Sequence, residues 1–228
     1  MKLLALDTSS VACSVALRID ETVIERYEEQ AREHTRLLMP MIQSVVDEAG
    51  TTLPELDAIV LGNGPGSFIG MRIAASVAQG LAFGSKLKIV PVSSLAAVAT
   101  QVFAEHDAAE VVVTQDAHMQ EVYLGIYRQD SDGLAAEVMA EQLHGLGVIS
   151  HCDDNAGKSR VAAGFGWQRY PDLLAANKGA FTAVADVLHP RARHLLPLGA
   201  AGFAQGRAVA PQDIAPAYLR QKVAEVPK

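Results

Sequence analysis

Leu61-Gly62-Asn63-Gly64-Pro65-Gly66-Ser67-Phe68-Ile69-Gly70-Met71-Arg72-Ile73 is the stretch around which the rest of this chain is organised. It carries an apolar strand, Ala58 to Leu61, through a glycine-rich turn and directly into a helix rich in small residues, Ile69 to Phe83. Glycine allows backbone angles that other residues disfavour, and the Ser67 hydroxyl is suited to cap the first helical turn. The sequence therefore predicts a strand, a tight turn and a capped helix in immediate succession.

The glycine turn has two interpretations. The start of a helix offers free N–H groups and the positive end of the helix dipole, which favour an anion such as a phosphate. The same glycines also suit a tight strand-to-helix turn that binds no ligand. No lysine follows Gly66, so the turn is not the phosphate-binding loop that ends in Gly-Lys-Ser/Thr.

Composition limits the possible functions. With 228 residues, 50% of them hydrophobic and 20% charged, the chain is expected to form one large domain or two small ones around a substantial core. Its formal net charge is −7. Because affinity for nucleic acid comes mainly from lysine and arginine, such a chain is a poor stand-alone binder of RNA or DNA. In a nucleic-acid pathway, we expect a partner to hold the polymer.

The chain also has the pattern of a soluble cytoplasmic protein. It enters a strand at Lys2 without a signal-peptide pattern, and its apolar runs are too short to span a bilayer. Cys13 and Cys152, its two cysteines, form no Cys-x-x-Cys pair, which argues against a disulfide framework or a zinc site.

The end of the first strand carries a possible site. Asp7 follows an apolar run and is itself followed by the hydroxyl residues Thr8, Ser9 and Ser10. An acid and hydroxyls at a strand end are suited to hold a magnesium ion and a phosphate. The alternative is that these side chains satisfy the turn in which they lie.

The helix predicted over Glu33 to Ala49 is apolar on more than one side. Leu38, Met41 and Val45 follow helical spacing, and Ile42 widens the apolar surface. Such a helix is typical of one that packs on a second partner, within the chain or on another subunit.

The helix after the glycine turn is also suited to packing. Its alanines and glycines let another helix approach closely, and Ile69, Ile73, Val77 and Leu81 supply apolar contact. Arg72 lies in its first turn, where it is placed to meet an anion or to pair with a surface acid.

The second half of the chain repeats the plan of the first. A shift of 109 residues places Asp7 on Asp116 and aligns two strand–turn–strand units. We interpret this as an internal duplication with an N-terminal lobe over residues 1–106 and a C-terminal lobe over residues 107–228. The last helix and the tail are predicted to pack back on the first lobe, and Pro216 to Arg220 in the tail are interpreted as a short edge strand.

Five motifs carry a family resemblance. In chain order they are Leu6-Asp7-Thr8-Ser9, Arg32-Glu33-His34-Thr35, Gly64 to Ile73, Asp116-Ala117-His118-Met119-Gln120-Glu121-Val122-Tyr123 and Pro216-Ala217-Tyr218-Leu219-Arg220. Together they resemble the bacterial TsaB (YeaZ) family of tRNA threonylcarbamoyladenosine biosynthesis, in its gammaproteobacterial type. The family usually has threonine after Phe68, whereas this chain has Ile69.

The resemblance implies an α/β fold of the actin-like, sugar-kinase-like ATPase class (ribonuclease-H-like) with two duplicated lobes. It implies a non-catalytic subunit that binds the catalytic paralogue TsaD and the ATPase TsaE. TsaD transfers threonylcarbamoyl to the adenosine beside the anticodon of tRNAs that read ANN codons. The subunit is expected to contact tRNA only through the complex, to form a homodimer when alone and to have no membrane contact.

The resemblance also bears on cofactors. The chain is expected to have no cofactor of its own, with ATP or ADP at a subunit interface of the full complex. The catalytic relatives carry a His-x-x-x-His metal pair, whereas the corresponding run here, Val92 to Val98, has no histidine. A transition-metal site needs imidazole or thiolate ligands, so neither metal ligands nor catalytic residues are expected.

These arguments predict two sets of residues. The partner interface is expected on the two first-lobe helices, at Leu38, Met41, Ile42, Val45, Ile69, Ile73, Ala74, Val77, Ala78 and Leu81. The alternative function is an ATP-dependent phosphotransferase or ATPase of the same fold. Nucleotide would then lie against Asp7, Thr8, Ser9, Gly64, Gly66, Ser67, Arg72 and Asp116.

Overall fold

The first half of the chain forms a five-stranded mixed sheet. The computed structural model describes residues 1–30, 32–150 and 159–220. The strands of the first sheet are β1 (Lys2–Asp7), β2 (Ala12–Ile19), β3 (Thr22–Glu29), β4 (Ala58–Gly62) and β5 (Lys88–Val92). Their order is β3-β2-β1-β4-β5, in which β1, β2 and β3 form an antiparallel meander and β4 and β5 run parallel to β1.

The second half forms a sheet of the same design. Its strands are β6 (Glu110–Asp116), β7 (Glu121–Gln129), β8 (Ala135–Gly145), β9 (Arg160–Ala163) and β10 (Ala183–Val184). Their order is β8-β7-β6-β9-β10, with the same sequence of antiparallel and parallel pairings. Asp7 and Asp116 each end the first strand of their sheet, so the predicted fold of two duplicated lobes is confirmed.

Helices cover both sheets and separate them. The helices are α1 (His34–Glu48), α2 (Phe68–Ser85), α3 (Ser94–Glu105), α4 (Phe165–Arg169), α5 (Pro171–Ala176) and α6 (Ala192–Ala204). α1 and α2 pack on the outer face of the first sheet, and α4 and α5 on the outer face of the second. α6 packs on the inner face of the first sheet and α3 on that of the second, so these two helices form the layer between the lobes.

The alternation of buried side chains along the strands produces these layers. In β1, Leu4 and Leu6 face α1 and α2, while Leu3 and Ala5 face α6. Successive side chains of a strand point to opposite faces, so a strand covered on both faces is apolar throughout. Within the described residues, no helix is long and apolar enough to cross a membrane.

The prediction of an edge strand over Pro216 to Arg220 is wrong. Residues 214–220, which we call the C-terminal segment, form neither helix nor strand and belong to neither sheet. The N–H of Ala217 donates instead to the carbonyl of Asn63 in the glycine turn, over 3.0 Å. The segment is therefore held on the surface of the first lobe by a loop rather than by a strand.

Candidate functional site

Asp7 is a buried carboxylate that the chain itself satisfies. Its side chain is 1% exposed. One oxygen accepts from the N–H and the hydroxyl of Ser9, each over 2.7 Å, and the other accepts from the Ser94 hydroxyl over 2.6 Å. Burial raises the pKa of Asp7, because a charged carboxylate loses its hydration there.

The turn after Asp7 packs directly against the first turn of α2 and forms hydrogen bonds with it. The carbonyl of Ser9 accepts from the N–H of Ser67 over 2.6 Å, and the Thr8 hydroxyl donates to the Gly70 carbonyl over 2.7 Å. A Cβ added to Gly66 would collide with the Ser9 carbonyl, and one added to Gly70 would collide with that of Thr8. These glycines are therefore required for close backbone approach.

This packing favours the turn-forming interpretation of the first motif. Asp7, Thr8 and Ser9 are all buried, and each of them bonds to a neighbouring part of the turn, of α2 or of α3. The assignment of these three to a nucleotide site stays a prediction, and in this structure their polar atoms are engaged by hydrogen bonds inside the protein. The Ser67 hydroxyl accepts from the N–H of Gly70 over 3.3 Å, so its predicted capping role is confirmed.

Ser94 completes this network, and sequence analysis missed it. Its hydroxyl donates to Asp7 and accepts from the N–H of Gly64 over 3.1 Å, while its own N–H donates to the Gly64 carbonyl over 2.8 Å. Gly64 has a positive φ of 88°, which side chains disfavour. The preceding residue, Ser93, caps α3, since its hydroxyl accepts from the N–H groups of Leu95 and Ala96.

Asp116 occupies the equivalent place in the second lobe but is more open. It accepts from the hydroxyl of Tyr170 and from the N–H of His118, each over 2.8 Å, and its side chain keeps 16% exposure. Burial raises the pKa of Tyr170, and the hydrogen bond to Asp116 raises it further. Within the described residues, no hydrogen bond joins this group to the Asp7 network, so the two acids belong to separate hydrogen-bond networks.

Six of the ten residues predicted at the partner interface belong to the core of the first lobe. They are Leu38, Met41, Ile42, Val45, Ala74 and Ala78, all 7% exposed or less. This part of the prediction is wrong, because the apolar stripe of each helix faces the first sheet rather than a partner. Of the others, Ile69 is 70% exposed, and Ile73, Val77 and Leu81 are half-buried at the border of the core.

The outer side of α1 and α2 nevertheless exposes large apolar side chains. Phe83 is 79% exposed, Ile69 70%, Met39 45% and Phe68 40%. The start of α2 also contributes to a shallow groove of about 360 Å³, which we call the α1–α2 groove. Its lining residues are Thr35, Phe68, Ile69, Arg72, Ile73, Ser76 and Val77. Sequence analysis missed the exposed aromatic residues, because they fall outside the apolar stripe.

The C-terminal segment borders this groove. The Tyr218 hydroxyl accepts from Nε of Arg72 over 2.9 Å, and its ring lies 5.4 Å from the ring of Phe68. Two residues further on, the Arg220 guanidinium donates to the carbonyl of Ala117 over 2.9 Å and pairs with Glu121 at 2.6 Å. The segment therefore connects the start of α2 in the first lobe to the β6–β7 hairpin in the second.

Potential metal ligands are scattered in this fold. Within residues 1–30, 32–150 and 159–220, no three His, Cys, Asp or Glu side chains are grouped so as to hold a metal ion. Cys13 is a free buried thiol, and Cys152 lies outside the described residues.

Comparison with protein families and curated proteins gives concordant matches. The profile of the family described as TsaD, tRNA N6-adenosine threonylcarbamoyltransferase, matches residues 21–228. The chain is 38% identical over 224 residues to the tRNA threonylcarbamoyladenosine biosynthesis protein TsaB of Escherichia coli, covering 98% of this chain and 96% of that protein. It is 36% identical over 232 residues to the TsaB protein of Haemophilus influenzae, with 98% and 95% covered.

Two solved structures from Pseudomonas aeruginosa have the same fold. One, described as an uncharacterized protein with similarity to peptidase YEAZ, superposes with a TM-score of 0.89 at 37% identity and covers 96% of this chain and 99% of its own. The other, described as YeaZ, superposes with a TM-score of 0.86 at 35% identity and the same coverage.

Proposed function

This chain belongs to the TsaB (YeaZ) family of tRNA threonylcarbamoyladenosine biosynthesis proteins, and from that membership we propose that it is a non-catalytic subunit of the modification machinery. In this role it binds the catalytic paralogue TsaD through the outer side of α1 and α2, and the ATPase TsaE joins the assembly. TsaD then transfers threonylcarbamoyl to the adenosine beside the anticodon of tRNAs that read ANN codons.

The observation that carries this proposal is the apolar outer side of α2. Ile69 and Phe83 are 70% and 79% exposed, at opposite ends of an 18-residue helix. Between them, Gly80 faces open space, since no atom lies within 4 Å of where its Cβ would stand. Large apolar side chains separated by small residues form a surface on which another helix can pack closely, and such patches mark interaction sites.

The structure of the first lobe supports a non-catalytic role. An ATPase of this fold would need Asp7 to face the phosphates and their metal ion. Here the carboxylate accepts three hydrogen bonds from Ser9 and Ser94 in a buried site. The N–H of Ser67 donates to the Ser9 carbonyl and is therefore not free to bind a phosphate. We therefore place ATP or ADP, where the complex uses it, at an interface between subunits.

The remaining partners follow from charge and surface. A net charge of −7 disfavours direct binding of tRNA by this chain, so the tRNA is bound by other subunits. When TsaD is absent, the exposed side of α2 is expected to pair with a second copy of the chain, because both partners would cover the same apolar residues.

Reconstitution tests the proposal. Threonylcarbamoyl-tRNA formation is measured with TsaD, TsaE and threonylcarbamoyl adenylate, with and without this chain. We expect formation to require the chain. Ile69→Glu and Phe83→Glu, at two exposed positions, are expected to reduce both formation and co-elution with TsaD.

The matched control is Val184→Glu, which places the same charge at a 54%-exposed apolar position of the second lobe. Full activity of both α2 variants would refute the surface. ATP turnover by the chain alone, lost in Asp7→Ala, would favour the ATPase alternative instead. Ala74 is unsuitable as a test position, because it is fully buried and a charge there would disrupt the fold.

A further inference from the structure

The start of α2 and the C-terminal segment together place one guanidinium over the ring of Phe68 and beside the ring of Tyr218. The central carbon of the Arg72 guanidinium lies 3.8 Å from the centre of the Phe68 ring and 5.7 Å from that of Tyr218. Nε of Arg72 donates to the Tyr218 hydroxyl over 2.9 Å. Because stacking fixes the planar fork in advance, such an arginine loses little freedom when it binds an anion.

The two outer nitrogens of this guanidinium remain available. Arg72 is exposed, and within the described part of the chain it forms no ion pair and has no hydrogen-bond acceptor beyond Tyr218. This holds although the chain has 26 acidic residues against 19 basic ones. Arg36 on α1, which is also exposed, is by contrast paired with Glu33.

Arg72 also stands in the lining of the α1–α2 groove, which contains no acidic residue. A helix that fills the groove would set its apolar side chains against Ile69 and Ile73 and would partly desolvate the guanidinium. An uncompensated charge at such a border is costly, whereas a carboxylate can accept two parallel hydrogen bonds from the arginine fork. Charge complementarity therefore specifies one feature of the occupant.

We propose that Phe68, Arg72 and Tyr218 form an anchor that binds a carboxylate of the partner subunit, from an aspartate or glutamate on the helix that covers the α1–α2 groove. This inference rests on the proposed function, which identifies the outer side of α1 and α2 as the docking surface. It adds the chemistry of one contact and gives the C-terminal segment a part in it.

The segment is held on both sides of Tyr218, which makes the anchor a composite of distant parts of the chain. Before Tyr218, the N–H of Ala217 donates to Asn63, and Nδ2 of Asn63 donates to the carbonyl of Ala215 over 3.0 Å. After it, Arg220 bonds to the β6–β7 hairpin. The anchor therefore needs the glycine turn, the start of α2 and the C-terminal segment at once.

The test measures the affinity of the purified chain for purified TsaD by calorimetry at low and high salt, about 0.05 and 0.5 M. Arg72→Gln is expected to weaken binding by about tenfold or more and to flatten its salt dependence. Arg72→Lys, which keeps the charge without the fork, is expected to recover only part of this loss. Tyr218→Leu, which removes one ring and the hydroxyl, is expected to weaken binding less than Arg72→Gln.

Two reference variants separate the possible results. Lys88→Gln removes the same charge from an exposed site just beyond the other end of α2 and is expected to bind as the wild type does. Ile69→Glu tests the docking surface itself. If Ile69→Glu fails to bind while Arg72→Gln binds with unchanged affinity and salt dependence, the anchor is refuted and the surface stands.

The remaining outcomes also decide. If Lys88→Gln weakens binding as much as Arg72→Gln does, net charge rather than an anchor is responsible, and the anchor is again refuted. If Ile69→Glu binds as tightly as the wild type, or the wild type does not bind TsaD, the proposed function fails first. The thermal midpoint of each variant, measured beforehand, shows that the compared proteins are folded.

Discussion

The Ser94 hydroxyl donates to Oδ2 of Asp7 over 2.6 Å, and this bond joins the first residue of α3 to the last residue of β1. Both side chains are 1% exposed. Through Ser94 the same network reaches Gly64 in the glycine turn. The strand end, the turn and the helix start are thus fixed relative to one another by one buried carboxylate, and the exit of α2 from the turn is fixed with them.

Removing this carboxylate is expected to reduce stability rather than chemistry. Asp7→Ala leaves the N–H and hydroxyl of Ser9 and the hydroxyl of Ser94 without their acceptor in a buried site. We expect the free energy of unfolding to fall by about 2–4 kcal/mol, measured by urea denaturation.

The control for this change is Asp57→Ala. Asp57 accepts from the N–H of Lys2 over 2.7 Å at an exposed site, so its loss is expected to cost about 1 kcal/mol or less. The Asp7→Ala protein that remains folded is expected to support tRNA modification at the wild-type level. A variant with wild-type stability and no activity would assign Asp7 a chemical role and contradict this interpretation.

Two glycines near α2 are expected to respond in opposite ways to an added methyl group. In Gly66→Ala the new Cβ meets the backbone of Ser9, which cannot move away without breaking the turn, so a loss of about 2 kcal/mol or more is expected. In Gly80→Ala the new Cβ meets no atom within 4 Å, and alanine is the better helix former, so a gain of about 0.5–1 kcal/mol is expected.

Thermal and urea unfolding of the two proteins measure this difference. If the α2 surface binds TsaD, Gly80→Ala should also weaken that binding while it stabilises the free chain, because the methyl group keeps a partner helix at a distance. Equal stability of the two variants would show that the close contact at Gly66 is not restrictive.

The duplicated fold could be predicted from sequence because its signals are local. Alternation along the strands and an acid at the end of each first strand, Asp7 and Asp116, recur in both halves. The proposed partner surface could not be predicted in the same way. An apolar stripe at helical spacing marks the side of a helix that faces its own sheet, and Leu38 and Ala74 therefore lie in the core.

The contacts of the C-terminal segment were beyond prediction for a different reason. Tyr218 accepts a hydrogen bond from Arg72, which lies 146 positions away in the sequence, and no local sequence pattern predicts a contact at that separation. The motifs that contain these residues were visible in the sequence, but only the fold shows that they meet. Ser94 was missed on similar grounds, since its partner Asp7 lies 87 positions away.

The stability of the chain is expected to fall in mild acid, in part through His194. Burial, with the charge of Arg193 as a lesser cause, lowers the pKa of His194 from 6.5 to about 4. Between these two values the unfolded chain binds more protons than the folded one, so the contribution of His194 is complete above pH 6.5 and is lost as the pH falls toward 4. The loss at His194 is expected to reach about 2–3 kcal/mol.

Comparison with His194→Gln isolates this effect. Glutamine does not titrate, so lowering the pH should reduce the free energy of unfolding of the wild type more than that of the variant. The pKa values of His34 and His189 are also lowered by burial, but their effects are common to both proteins and cancel in the difference. A difference that does not vary with pH would show that His194 is accessible to protons in the folded state.

The C-terminal segment is expected to stabilise the β6–β7 hairpin through Arg220, which donates to the carbonyl of Ala117 and pairs with Glu121. Three consecutive non-glycine residues of the turn have positive φ, namely His118 (59°), Met119 (53°) and Gln120 (59°). Each left-handed residue costs about 1 kcal/mol, so the turn depends on contacts from outside it. Arg220→Ala is expected to raise amide hydrogen exchange in the turn by about tenfold and to leave exchange in the buried strand at Val112 unchanged.

Arg36→Ala, which removes a surface pair on α1, serves as the control. Unchanged exchange in the turn of the Arg220 variant would show that the turn holds its conformation without the segment, and the segment would then serve the first lobe alone.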